Sequence, residues 1–164
     1  MRIRDERPED VHAIYAITQV AFEPMPYSDG DEQDLINALR DDGALAVSLV
    51  AERNAEIVGH IAFSRVTIDN QPSNWFVLGP VSVKPSLQSL GIGSALIHEG
   101  IERIKALNAD GCVLLGYPAY YGRFGFVHDP QLTYNGAAHP YFQQLTLRGA
   151  TPKGDVRHHP AFYG

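Results

Sequence analysis

Apolar positions along the chain recur at two periods, and these set out the elements. Residues 2–4 read as a short first strand. Pro8-Glu9-Asp10 then opens a helix: proline suits a first turn, and the two acids sit at the positive end of the dipole. Val11, Ile14, Tyr15, Thr18 and Phe22 follow at helical spacing, and Pro24-Met25-Pro26 ends the run. Residues 27–30 are a polar loop. Residues 31–40 predict a second helix with Leu35, Ile36 and Leu39 inward, stopped by Gly43. Two apolar runs, 46–52 and 57–68, are joined by the hairpin-like turn Arg53-Asn54-Ala55-Glu56. Asp69-Asn70-Gln71-Pro72 is a further turn, and residues 75–83 predict a third long strand. The clearest helix spans 91–107, with Leu96, Ile97, Ile101 and Ile104 on one side and Glu99, Glu102 and Arg103 on the other. Residues 112–115 are a short apolar strand, 118–123 a short helix, Phe124-Gly125-Phe126 the start of another strand, and 141–147 the last strand. The tail from Thr151 is rich in Pro, Gly and His and reads as a loop packed on the domain. No internal repeat breaks the series. The order β-α-α-β-β-β-α-β-α-β-β implies an α/β fold: a single domain with one mixed central sheet and helices on both faces.

Composition narrows the function classes. A chain of 164 residues fits one domain, 1–164, able to bury a core without metals or disulfides. The hydrophobic fraction of 45% and charged fraction of 20% are those of a water-soluble protein. A formal net charge of -6 argues against nucleic acid or an anionic membrane as partner, because both need a basic surface. The one cysteine, Cys112, excludes an intrachain disulfide and suits a reducing compartment. No apolar segment follows the charged start Met1-Arg2-Ile3-Arg4-Asp5, and no run approaches the roughly 20 apolar residues of a membrane span. The expected location is the cytoplasm.

Candidate chemistry concentrates after the third long strand. The strand ends near Lys84-Pro85, a short loop follows, and a helix starts around Gly91-Ile92-Gly93 without an obvious capping side chain. The first N–H groups of that helix lack intrahelical partners. Glycines let a phosphate approach the backbone, and the helix dipole adds to the attraction. Gln88 can donate a further hydrogen bond from its side chain. The spacing Gln88-x-x-Gly91-x-Gly93 is not a P-loop, since no Lys-Ser/Thr pair follows the second glycine. Nor is it the dinucleotide fingerprint, which needs glycine where Leu96 stands.

Gln88-x-x-Gly91-x-Gly93 resembles the pyrophosphate loop of the GNAT N-acetyltransferases, whose common form is (Arg/Gln)-x-x-Gly-x-(Gly/Ala). The resemblance extends to the YhbS-like branch of small bacterial acetyltransferases. It runs through Ser48-Leu49-Val50-Ala51-Glu52, Gly59-His60-Ile61-Ala62-Phe63-Ser64, Leu78-Gly79-Pro80-Val81, Tyr120-Tyr121-Gly122-Arg123-Phe124-Gly125-Phe126 and His159-Pro160-Ala161-Phe162. It implies a GNAT sheet splayed between its fourth and fifth strands, with CoA entering the splay. It implies that the N–H groups of Ser89, Leu90, Gly91, Ile92, Gly93 and Ser94 hold the pyrophosphate of acetyl-CoA. It further implies that Val81, Ser82 and Val83 pair with the pantetheine arm, and that backbone near Val81 stabilises the oxyanion. Tyr121, in Tyr-x-x-x-Gly-Phe, then lies by the CoA sulfur as a general acid, or else packs against CoA. A phenol of ordinary pKa ~10 is protonated at neutral pH and can donate to a departing thiolate.

The expected reaction is direct attack of an amine, on a small molecule or a peptide, upon acetyl-CoA, with no metal. The base is open. Residues 75–80, where many relatives carry a glutamate, hold no carboxylate, and the fifth strand is followed by Gly116-Tyr117-Pro118 rather than asparagine or an acid. Glu23, Asp29, His60 and His128 are the candidates, and an amine that deprotonates in bulk water needs none. The loops 23–31, 69–75 and 128–140 are expected to shape the acceptor pocket. Trp75 either lines that pocket or sits in the sheet. Lys84, Lys105 and Arg123 are read as surface charges that can reach the 3′-phosphate of CoA, and Cys112 as a buried small hydrophobe. A monomer or a homodimer both fit. A non-catalytic acyl-CoA-binding module is the rival reading.

Overall fold

In a computed structural model describing residues 1–164, the strands follow the hydrogen-bonded order β1-β2-β3-β4-β5-β7, with β8 on β3 and β6 on β8. The strands are β1 (Arg2–Asp5), β2 (Val47–Arg53), β3 (Glu56–Ile68), β4 (Gln71–Val83), β5 (Gly111–Leu115), β6 (Leu132–Tyr134), β7 (Phe142–Thr146) and β8 (Gly154–Arg157). The helices are α1 (Val11–Phe22), α2 (Glu32–Asp41), α3 (Ile92–Ala106) and the one-turn α4 (Pro118–Tyr121). The sheet is mixed: β4 and β5 are parallel, while β1–β2, β2–β3 and β5–β7 are antiparallel. The β4–β5 ladder joins Trp75–Val77 to Gly111–Val113 and stops there, although β4 continues to Val83 and β5 to Leu115. The chain groups into two compact units, residues 1–63 with 79–102, and residues 64–78 with 103–164.

In the first unit β1, β2 and the first half of β3 carry α1, α2 and most of α3. Ile14, Ile36 and Val50 form a buried cluster against Leu45 and Ile57, as the helical spacing required. Small residues let α3 approach β3. A Cβ on Gly59 would stand 2.9 Å from the Leu96 side chain, and one on Gly100 would stand 2.2 Å from the Phe63 ring. Arg4 ties β1 to the start of α1: its guanidinium donates to both carboxylate oxygens of Asp10 at 2.7 and 3.2 Å. Those hydrogen bonds hold the buried Asp10 carboxyl below its ordinary range against the cost of burial.

In the second unit Val66, Trp75, Val77, Val113, Leu132, Phe142 and Val156 make one buried cluster. The two-residue turns after β2 and after β3 place both central residues at positive φ: Asn54 and Ala55 at 53° and 63°, Asp69 and Asn70 at 51° and 62°. That geometry matches the twist of a tight hairpin. It also brings β4 forward to Gln71, ahead of the expected start at Trp75.

Two expectations need correction. Residues 124–126 do not open a strand. Gly122–Phe124 is a 3-10 turn closed by Gly125 at φ 94°, and only Val127 bridges to Gln144. The C-terminal tail, expected as loop across 151–164, contains β8, which pairs with β3 and β6, and a 3-10 turn at Pro160–Tyr163. Its strand character comes from distant partners, which composition does not report.

Candidate functional site

The segment from Val81 to Ser94 runs from the end of β4 through a tight turn into α3. Beyond Val77 β4 has left the β5 ladder, so Val81, Ser82 and Val83 form the end of a strand that outlasts that pairing. Ser82 is buried and its hydroxyl donates to Thr18 Oγ1 at 3.3 Å, fixing the strand against α1. The Lys84 N–H donates to Val58 O at 2.9 Å. A 3-10 turn at Pro85–Leu87 follows, and Gln88 folds back, its Nε2 donating to Val83 O at 3.3 Å. The chain then reverses through Ser89 at φ 65° and Gly91 at φ 88°. A non-glycine residue in the left-handed region is uncommon, and alternating backbone hands turn successive N–H groups into one concavity. Ser89, Leu90 and Gly91 are exposed, Leu90 at 64%.

Helix α3 begins at once, and the first bond along it is Ala95 N–H to Gly91 O at 3.0 Å. Helical geometry leaves the N–H groups of Ile92, Gly93 and Ser94 with no acceptor inside the helix. At Gly91 a Cβ would meet nothing within 4 Å, so glycine serves the backbone angle rather than space. Every residue of the proposed loop, Gln88 to Ser94, is therefore contiguous in one turn. Gln88 is the departure: its amide serves the loop's own closure.

Tyr121 belongs to the second unit, as the last residue of α4. Its ring lies on Gly116, where a Cβ would stand 2.4 Å from Tyr121 Cε2. Tyr120, Phe124 and Phe126 surround it at centroid distances of 4.9, 6.3 and 6.2 Å. Gly116 makes room for the Tyr121 ring, a contact that sequence reasoning passed over; its signal was a glycine between a strand and a Tyr-Pro helix start. The motif's Gly125 takes the left-handed φ of 94° needed to end the turn after Tyr121.

The remaining candidates disperse. Glu23 and Asp29 are exposed near the first interhelical loop. His60 is wholly buried on β3, with Nε2 2.8 Å from Ser48 Oγ. Burial pushes its pKa down to about 4, with Glu6 pulling up and Arg40 adding to the drop. The His128 Nδ1 lies 2.8 Å from Phe142 O. Trp75 is in the sheet core, its ring covering Gly111. Lys84 pairs with Glu56 at 2.7 Å, and Arg123 lies 4.5 Å from the Tyr120 ring centroid. Cys112 is buried in β5, and burial pushes its thiol pKa up. His158 is buried between the rings of Tyr134 and Phe162, each at 4.7 Å.

Comparison with known proteins bears on the family and the fold. The acetyltransferase (GNAT) family pattern matches residues 11–126. The uncharacterized N-acetyltransferase YhbS of Escherichia coli K12 is 35% identical over 127 residues, covering 77% of this chain and 73% of that protein. A GNAT family acetyltransferase from Brucella melitensis, solved in complex with acetyl-CoA, superposes with a TM-score of 0.89 at 45% identity, covering 98% and 97% of the two chains. Escherichia coli YhbS in complex with CoA gives a TM-score of 0.88 at 29% identity, covering 99% of this chain and 92% of that one.

Proposed function

The chain belongs to the GNAT acetyltransferase family, and from that premise we propose that it moves the acetyl group of acetyl-CoA to an amine by direct attack. The observation that carries the proposal is the cradle at Gln88–Ser94. Positive φ at Ser89 and Gly91 and the open N-terminus of α3 offer backbone N–H groups to a pyrophosphate. In this reading Val81, Ser82 and Val83 pair with the pantetheine amides as an added strand would. The neutral amine nitrogen attacks the thioester carbonyl, and backbone near Val81 stabilises the oxyanion. As the intermediate collapses the C–S bond breaks, Tyr121 gives its proton to the thiolate, and the surplus proton on nitrogen passes to water. The phenolate recovers its proton from solvent. No metal enters the scheme.

The supporting measurement is thermal melting with acetyl-CoA, CoA, ATP and NAD. A ligand that binds only the folded state raises the midpoint, by an amount equivalent to about 2.7 kcal/mol at a hundredfold excess over Kd. Acetyl-CoA and CoA are expected to shift it and ATP and NAD are not. Absence of a shift with both CoA species at millimolar concentration would sink the proposal.

A further inference from the structure

We infer that the acceptor is a monoamine whose alkyl chain carries an aromatic ring, and that the rings of Tyr117, Tyr141 and His139 form the wall that receives it; this rests on the acetyltransferase reading above. In open α/β sheets ligands collect outside the carboxyl ends of parallel strands. β5 is one of the parallel pair, and Tyr117 is the second residue past its carboxyl end at Leu115. Here the second unit exposes large side chains: Tyr117 is 56% exposed, Tyr141 46% and Leu115 41%. Exposed apolar groups gathered at one place mark a binding surface more often than isolated ones do.

The rings form a rooted series. Tyr117 and Tyr141 meet edge to face at 5.6 Å, Tyr141 and His139 at 6.0 Å, and His139 and Tyr134 at 6.4 Å. Tyr134 then stacks on the buried Phe142 at 5.4 Å, anchoring the series in the core. Backbone bonds hold the two segments together. Gly116 N–H donates to Tyr141 O at 3.0 Å, Gln143 Nε2 donates to Gly116 O at 2.7 Å, and Tyr141 N–H donates to His139 Nδ1 at 3.1 Å. Such rings present broad faces and edges at small entropic cost, which suits another ring.

Charge decides the kind of amine. Residues 111–147 contain two fixed charges, Arg123 and Asp129; Asp129 accepts from Gln131, and the Asp155 carboxylate that reaches the 133–136 turn accepts from Thr133, Gly136 and Arg157. A polyamine or a lysine side chain reaches the enzyme as an ammonium and is best recognised by carboxylates. Carboxylates would also raise the amine pKa and keep it unreactive. An aromatic wall whose nearby carboxylates are already engaged recognises the flat part of the acceptor and leaves the nitrogen free to lose its proton, in keeping with the carboxylate-free 75–80 stretch.

The test follows thiol release from acetyl-CoA with 2-phenylethylamine and tryptamine against n-butylamine, putrescine and spermidine. The arylalkylamines are expected to exceed n-butylamine in kcat/KM by about tenfold. Tyr117→Ala and Tyr141→Ala should each raise KM for 2-phenylethylamine about tenfold, with kcat, the KM for acetyl-CoA and the melting point unchanged. Tyr117→Phe and Tyr141→Phe should restore it, because the ring does the recognising. Preference for spermidine or putrescine, unaltered KM in the alanine variants, or no turnover of any amine by a protein that acetyl-CoA stabilises would each overturn the inference alone. A protein that acetyl-CoA does not stabilise would overturn the acetyltransferase reading, and the inference with it.

Discussion

At the scale of the residue, Tyr121 and Gly116 are one unit of design. The tyrosine ring occupies the volume a Cβ at Gly116 would need, with 2.4 Å between that Cβ and Cε2. If Tyr121 supplies the proton to the thiolate, Tyr121→Phe should lower kcat by about 10²–10³-fold, within the usual range for a general acid. Its CoA affinity, read by titration calorimetry, should stay the same. Equal turnover in the variant would return Tyr121 to a packing role. Gly116→Ala should displace the ring without removing the hydroxyl. Its expected signature is a smaller loss of kcat than Tyr121→Phe, with no additional loss when the two changes are combined. The motif Tyr-x-x-x-Gly-Phe was legible in sequence, but the left-handed turn that calls for glycine at Gly125 was not, since residues 124–126 read as the start of a strand. The role of Gly116 was not, because nothing local says which ring will lie on it.

At the scale of the element, β1, α2, β2 and β3 are tied by a half-buried polar network. Arg40 donates to both oxygens of Glu6 at 2.8 Å, Ser48 donates to Glu6 Oε1, and His60 Nε2 approaches the same oxygen at 4.0 Å. Partial burial pulls the Glu6 pKa up, but the hydrogen bonds from Arg40 and Ser48 win and hold it low. Glu6→Ala should destabilise the protein by about 2 kcal/mol in urea unfolding, since it strands charge-assisted donors. The melting shift given by acetyl-CoA should survive, because the network lies outside the Gln88–Ser94 loop. Sequence placed His60 among possible bases; its pairing with Ser48 comes from the β2–β3 register, Ser48 with Ala62 and Val50 with His60, which a run of apolar residues does not specify.

At the scale of the whole molecule, His60 and His158 are buried and uncharged, each with a pKa lowered by burial to about 4 from an ordinary 6.5. The unfolded chain therefore binds protons that the folded chain refuses between those values. Stability is full above pH ~6.5 and is lost as pH falls toward ~4, at up to about 1.4 kcal/mol per pH unit for each histidine. Below that range Glu6, Asp10 and Asp155, all held low in the fold, add to the loss. Melting from pH 7.5 to 4 should show the decline, and His158→Phe should flatten it. An unchanged slope in that variant would mean that His158 is not buried neutral in solution.

The sequence by itself determined the order of the main elements, the inward faces of α1, α2 and α3, the glycine turn that opens α3 and the family, because these depend on residues close in the chain. Periodicity, proline, glycine and the Gln88-x-x-Gly91-x-Gly93 spacing are local signals, and local geometry follows from them. Only the tertiary structure decided that residues 154–157 form a strand, that Trp75 belongs to the core and that His60 is sealed beside Ser48. It alone gathered Tyr117, His139 and Tyr141 at the end of β5. Each of these depends on partners far along the chain, whose pairing is selected by burial and register rather than by any propensity of the residues themselves.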